Sequence, residues 1–209
     1  MPTSEIHRGV CVEAAGARLA GEIRLPSEPR GFVLFASSRD LVRLDRRQAA
    51  LGEALNKRGL GTLLFDLVQT TDDEETEGDL EALTERLLGA TGWSFEQRGV
   101  KGLPLGYVGS SLGSAAALVA AVALGPRVSA VVSHGGRPDL AGDGLAKVLA
   151  PTLLLIAGDD VVEAQAAVAA ARKLCSAHQI RSVNAHRPRT GAWEAAPLIC
   201  DWLQWHLGR

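Results

Sequence analysis

Apolar residues along the chain fall into two kinds of run. Val10-Cys11-Val12-Glu13 and Ala17-Arg18-Leu19-Ala20-Gly21-Glu22-Ile23-Arg24-Leu25 alternate loosely between apolar and polar, with Gly16 between them. That pattern predicts an antiparallel strand pair with one solvated face. After Pro29 the runs become continuously apolar: Gly31-Phe32-Val33-Leu34-Phe35-Ala36, Thr62-Leu63-Leu64-Phe65, Ser129-Ala130-Val131-Val132 and Thr152-Leu153-Leu154-Leu155-Ile156. Strands buried on both faces read this way. Leu103-Pro104-Leu105-Gly106-Tyr107-Val108 is a further strand candidate, and Ile180-Arg181-Ser182-Val183 a weaker last one.

Helical periodicity fills the gaps. Ala50, Leu51, Ala54 and Leu55 share a face before a stop at Gly59, and Leu80, Leu83 and Leu87 share another. Ser114 to Ala121 is a strong helix former, Val161 to Leu174 is Ala-rich with Arg172 and Lys173 in its last turn, and Pro197 to Leu207 closes the chain. Strands alternating with helices predict an α/β fold, a mostly parallel sheet with helices on both faces. Right-handed crossovers then bring the loops that follow the strands to one edge, where ligands bind. Only the stretch from about Val68 to Asp79 reads as a solvated loop. Its Asp72-Asp73-Glu74-Glu75 cluster is expected to be a solvated surface turn, because no His or further carboxylate joins it at metal-ligand spacing.

Composition narrows the class. The 209 residues fit one domain over 1–209, and 46% apolar with 22% charged is ordinary for a globular protein. A net charge of −2 gives no electrostatic reason to expect nucleic acid or an anionic membrane as a partner. The first ten residues have no apolar core of a secretory signal, and the longest apolar run, Ala115 to Leu124, is too short to span a bilayer. Cys11, Cys175 and Cys200 are sparse and odd in number, which reads as free buried thiols in a reducing, cytoplasmic setting.

Chemistry enters at Gly109-Ser110-Ser111-Leu112-Gly113, a G-x-S-x-G between a predicted strand and a predicted helix. A strand, a sharp turn and a helix lift the serine hydroxyl above the sheet edge. Serine needs a base to take its proton, and the base needs an orienting acid. Asp160 follows the strand ending at Ile156 and is the expected acid, with Asp159 as fallback. His186 follows the strand ending at Val183 and is the expected base. His134 is its rival, because it follows the strand ending at Val132. His7, His178 and His206 read as surface residues. Arg137 is a candidate for a substrate carboxylate, or else for an ion pair with Asp139 or Asp143.

These residues, with Gly61 to Leu67, Gly102 to Tyr107, Ser133 to Gly142 and Ala150 to Asp160, resemble the dienelactone-hydrolase-like α/β-hydrolases. In particular they are similar to compact members sometimes fused to phosphoribosyltransferase domains. The resemblance implies an α/β-hydrolase fold with Ser111, Asp160 and His186 as the catalytic triad, and Leu112 as one oxyanion donor. Ser37 or Ser38 holds the place of the second donor. The family's His-Gly-x-Gly segment is replaced here by Ala36-Ser37-Ser38-Arg39-Asp40, and its elbow cysteine by serine. Ser37, His134 and Arg137 are the candidate substrate-binding residues. The gap from His134 to Ala150 is too short for a cap domain.

The expected activity is hydrolysis of a small ester, lactone or thioester, with a small-molecule acyl substrate and neither a metal nor an organic cofactor. Self-association as a homodimer is left open. The alternative is a catalytically degenerate hydrolase fold that binds a ligand or partner protein, and the altered segment Ala36 to Asp40 is what favours it.

Overall fold

The loosely alternating N-terminal segments pair as antiparallel strands β1 (Ile6–Ala14) and β2 (Ala17–Leu25). The structure, a computed structural model, describes residues 5–37, 46–69, 72, 78–158, 160–183 and 194–208. Ala15 and Gly16 join the pair with φ of 48° and 75°. Positive φ at both positions matches the turn to the twist of the strands. His7, read as a surface residue, lies in β1 with Nε2 3.1 Å from Glu22.

The continuous apolar runs become β3 (Gly31–Ser37), β4 (Leu60–Asp66), β5 (Leu105–Ser110), β6 (Val128–His134) and β7 (Thr152–Ala157). β8 (His178–Val183) follows at one edge, and most of its residues are exposed. The eight strands are ordered β1-β2-β4-β3-β5-β6-β7-β8. β2 meets β4 antiparallel, and every pairing from β4 to β8 is parallel.

Among the described residues the long α-helices are α1 (Arg46–Lys57), α2 (Leu80–Glu96), α3 (Gly113–Leu124), α4 (Val161–Lys173) and α5 (Ala195–Leu207). Period-two alternation along each central strand sends its side chains to two cores. Phe32, Leu34 and Tyr107 pack with apolar residues of α2, α3 and α4. Val33, Phe35 and Val108 pack with α1 and α5. α3 lies deepest: it carries no charge, and Gly113 to Leu118 are all buried. A helix apolar on all sides belongs in the centre of a core.

Register brings the strand ends level. Ser37 is opposite both Asp66 and Ser110, His134 is opposite Leu155, and Ala157 is opposite Val183. β5, β7 and β8 therefore all end at one edge, and Ser111 and Asp160 lie just beyond it; His186 lies outside the described residues.

Two expectations are corrected. Asp72 is no solvated turn residue. Arg86 of α2 donates to it, with Nη2 3.1 Å from Oδ1, and also donates to the Leu67 carbonyl at 2.7 Å. Gln69 N–H donates to the same carboxylate at 2.7 Å. The two side chains are 9% and 10% exposed, which makes this a largely covered pair at the edge of the core. It ties the segment after β4 back onto α2, a role the run of acids in the sequence hid. Among the described residues no group of His, Cys, Asp and Glu could hold a metal ion. Of the cysteines only Cys200 is buried, and burial pushes its thiol pKa up; Cys11 and Cys175 are exposed. No helix among the described residues is long and apolar enough to cross a membrane.

The Arg86 hydrogen bond holds the Asp72 carboxyl below its usual value. A depressed acid stabilises the fold above the unfolded pKa, about 3.9, and loses that contribution as pH falls through its folded value. Asp72→Asn leaves Arg86 buried without its counter-charge and should cost about 3 kcal/mol at pH 7. Denaturant unfolding should show that gap constant above about pH 5 and narrowing towards pH 3.

Candidate active site

Ser111 follows directly on β5 and precedes α3, and its backbone φ is 53°. Among described residues only Ala15 of the hairpin turn shares that left-handed backbone without being glycine. Such a conformation strains an L-residue and persists only where its surroundings impose it. The surroundings here are backbone at close range. A Cβ at Gly109 would lie 2.6 Å from the Gly113 carbonyl oxygen, and one at Gly113 only 2.1 Å from that of Ala36. The third contact comes from the turn after β6, where a Cβ at Gly136 would lie 2.2 Å from the Ser111 carbonyl oxygen. That oxygen accepts from Arg137 N–H at 3.2 Å and from Ser114 N–H at 3.3 Å. Ser114 Oγ donates to the Gly135 carbonyl at 2.8 Å and closes the turn onto α3.

Leu112 sits at the cap position of α3 in helical geometry. N–H groups at this end of a helix have no carbonyl a turn earlier to bond, so they face the space above the elbow. Ser37, last residue of β3, is 6% exposed, and its carbonyl accepts from Leu67 N–H at 3.0 Å. Ser38 lies outside the described residues. A cavity of about 140 Å3 opens beside the elbow, lined on its polar side by Ser37, Arg47, Gln48, Ser110 and His134. Its apolar wall is Phe35, Leu51 and Val108. The Gln48 amide oxygen is buried without a hydrogen-bond partner. His134, the rival base, ends β6 half-buried on the polar side of this cavity; Ser110, not Ser111, shares the cavity with it.

Asp160 is exposed and caps α4, one carboxylate oxygen accepting from Glu163 N–H at 2.9 Å. Its other oxygen makes no hydrogen bond among the described residues. Asp159, the fallback acid, and His186, the expected base, both lie outside the described residues. Among the described residues Ser111 Oγ likewise makes no hydrogen bond.

Arg137 resolves in favour of an ion pair. Its Nε and Nη2 donate to the two Asp139 oxygens at 2.9 and 2.8 Å, and this guanidinium holds the Asp139 carboxyl below its ordinary pKa. Asp143 pairs with Lys173 instead, at 2.9 Å. A substrate carboxylate at Arg137 would compete with an established bidentate partner. Sequence reasoning missed Glu163, whose Oε1 accepts from Gly136 N–H at 3.1 Å. No motif marks it; only the Gly135-Gly136 pair signals that something approaches that turn closely.

Known proteins share this fold. A dienelactone hydrolase from Anabaena variabilis superposes with a TM-score of 0.84 at 32% identity, over 97% of this chain and 99% of that one. A cold-adapted esterase from an Arctic intertidal metagenomic library matches with a TM-score of 0.72 over 96% of this chain and 93% of its own, at 18% identity, and so shares the fold alone. Two proteins of Mycobacterium tuberculosis named as phosphoribosyl transferases are 41% identical over 205 residues. That stretch is 95% of this chain and 46% of theirs, so the chain spans about half the length of these curated relatives. No family model matches the chain. The fold is that of the α/β-hydrolases, with no cap domain among the described residues. Within that class the chain belongs to the dienelactone-hydrolase-like family.

Close backbone approach makes a sharp test. Gly113→Ala should destabilise the protein by about 2 kcal/mol or more, since its Cβ meets a main-chain oxygen that cannot swing aside. Gly144→Ala, with nothing within 4 Å of the new Cβ, should stay within about 0.5 kcal/mol of the parent. Equal thermal unfolding of the two variants would contradict the crowding at the elbow.

Proposed function

We propose that the protein is a serine hydrolase acting on a small ester, lactone or thioester, with Ser111 as nucleophile, His186 as base and Asp160 as acid. The observation that carries this reading is Ser111 at φ 53° between β5 and α3. That conformation is costly, and it aims the hydroxyl off the sheet edge where a carbonyl can approach. Family membership and the order Ser, Asp, His along the chain add support.

In this mechanism Ser111 Oγ attacks the substrate carbonyl carbon while His186 takes the hydroxyl proton. The negative oxygen of the tetrahedral intermediate receives the Leu112 N–H, with a second donor from Ser37 or Ser38. The intermediate collapses, the leaving group departs with the proton from His186, and the acyl group remains on Ser111. Water, deprotonated by His186, then hydrolyses the acyl-enzyme. Asp160 holds the imidazolium through the carboxylate oxygen that does not cap α4. No metal or organic cofactor takes part. The substrate reaches Ser111 at the sheet edge, next to the cavity lined by Ser110 and His134, and the reaction is assigned to the cytoplasm.

The alternative, a fold that binds without turnover, draws on the Ala36 to Asp40 segment, which lacks the glycines that usually turn an oxyanion donor towards substrate. A fluorophosphonate probe separates the two. Labelling of the wild-type protein that disappears in Ser111→Ala is expected. Asp160→Asn should lower kcat on a short-chain 4-nitrophenyl ester by about 10³–10⁴. A folded wild-type protein that the probe leaves unlabelled would decide for the binding reading.

A further inference from the structure

The turn after β6 lies flat on the nucleophile's backbone. Gly135 and Gly136 have φ of 71° and 81°. A Cβ at Gly136 would stand 2.5 Å from Ser111 Cα and 2.6 Å from its nitrogen, so nothing larger than glycine leaves Ser111 where it is. Arg137 N–H, next in the turn, donates to the Ser111 carbonyl. The position of this turn therefore sets the position of the Ser111 peptide.

What holds the turn is partly remote. Gly135 N–H donates to the Leu155 carbonyl of β7 at 2.8 Å, an ordinary strand-end bond. Gly136 N–H, one residue nearer Ser111, donates to the side chain of Glu163 in the first turn of α4. A Cβ at Gly135 would stand 2.6 Å from that same Glu163 oxygen, so the glycine pair makes a cradle that the carboxylate fills. A charged acceptor makes a stronger bond than a neutral one. Glu163 N–H in turn donates to Asp160. One helix turn thereby joins the proposed acid to the proposed nucleophile through Glu163 and Gly136.

We propose that Glu163 is a positioning residue for catalysis: its carboxylate seats the Gly135–Gly136 turn against Ser111 and sets the elbow in register with the Asp160 loop. The inference rests on Ser111 being the nucleophile. Glu163 does not touch substrate. It acts through Gly136 on where Ser111 stands, and a displacement of about 1 Å there is enough to cost on the order of a hundredfold in rate.

The test compares Glu163→Ala, which removes the acceptor, with Glu163→Gln, which keeps an acceptor oxygen. Readouts are the fluorophosphonate labelling rate at Ser111, kcat and KM for 4-nitrophenyl acetate, the Gly136 amide proton shift by NMR, and Tm. Expected for Glu163→Ala are labelling and kcat reduced about tenfold or more at unchanged KM, with the Gly136 amide moved upfield. Glu163→Gln should recover most of the rate and hold an intermediate amide shift. Labelling in Glu163→Ala at the wild-type rate overturns the role of Glu163 and leaves Ser111 as nucleophile untouched. Equal losses of rate and Tm in both variants also overturn it, because only helix docking would then be affected. Absence of labelling in the folded wild-type protein removes the nucleophile and this inference with it.

Discussion

Ser111 occupies a backbone conformation that its neighbours impose, and much of the molecule is arranged to impose it. β5 must end at Ser110, α3 must begin within two residues, and the chain must reverse between them without a side chain at Gly109 or Gly113. The approach of Gly113 to the Ala36 carbonyl ties the elbow to β3. The approach of Gly136 to Ser111 ties it to β6. Two strands flanking β5 thus clamp the serine between them. An apolar α3, buried along most of its length, anchors the clamp in the core. Strain of this kind persists because relieving it would mean moving packed backbone on both sides.

The sheet edge around this clamp is held by polar links of modest reach. Arg86 fastens the segment after β4 through Asp72 and the Leu67 carbonyl. Arg137 and Asp139 close the segment after β6 on itself. Asp160 and Glu163 organise the start of α4 and carry it to the Gly136 turn. Each link fixes a loop that leaves the same edge, so the elbow is framed by loops whose positions are individually set. The pairs at Asp72 and Arg137 stabilise by different amounts. Asp72 is desolvated, whereas Arg137 is half exposed and screened by solvent.

Much of this was readable from residue order. Continuous apolar runs marked the parallel strands because both faces of those strands are covered, and alternation marked the hairpin because one face is not. The elbow was readable because a left-handed turn between strand and helix leaves a local glycine signature. Roles that depend on distant partners were not readable. Asp72 looked like part of an acidic surface run until Arg86, fourteen residues on, proved to meet it. Arg137 was balanced between substrate and ion pair, and only folding brought Asp139 into bidentate geometry. Asp160 reads as the acid of the triad in the sequence, and only the structure shows that one of its oxygens also caps α4. Cys11 and Cys175 were expected inside but lie on a half-exposed strand and after a helix end, where composition says nothing of exposure.

The sequence by itself determined the element order, the sheet with its two covered faces, and the site of the strained serine. Those follow from local propensity, hydrophobic period and glycine placement, all written within a few residues of where they act. Only the tertiary structure decided what touches the serine. Gly136 lies twenty-five positions from Ser111 and Glu163 a further twenty-seven, and no local preference records a contact made across two crossovers. The reason is physical: strand order and register set those distances, and they arise from the packing of the whole sheet.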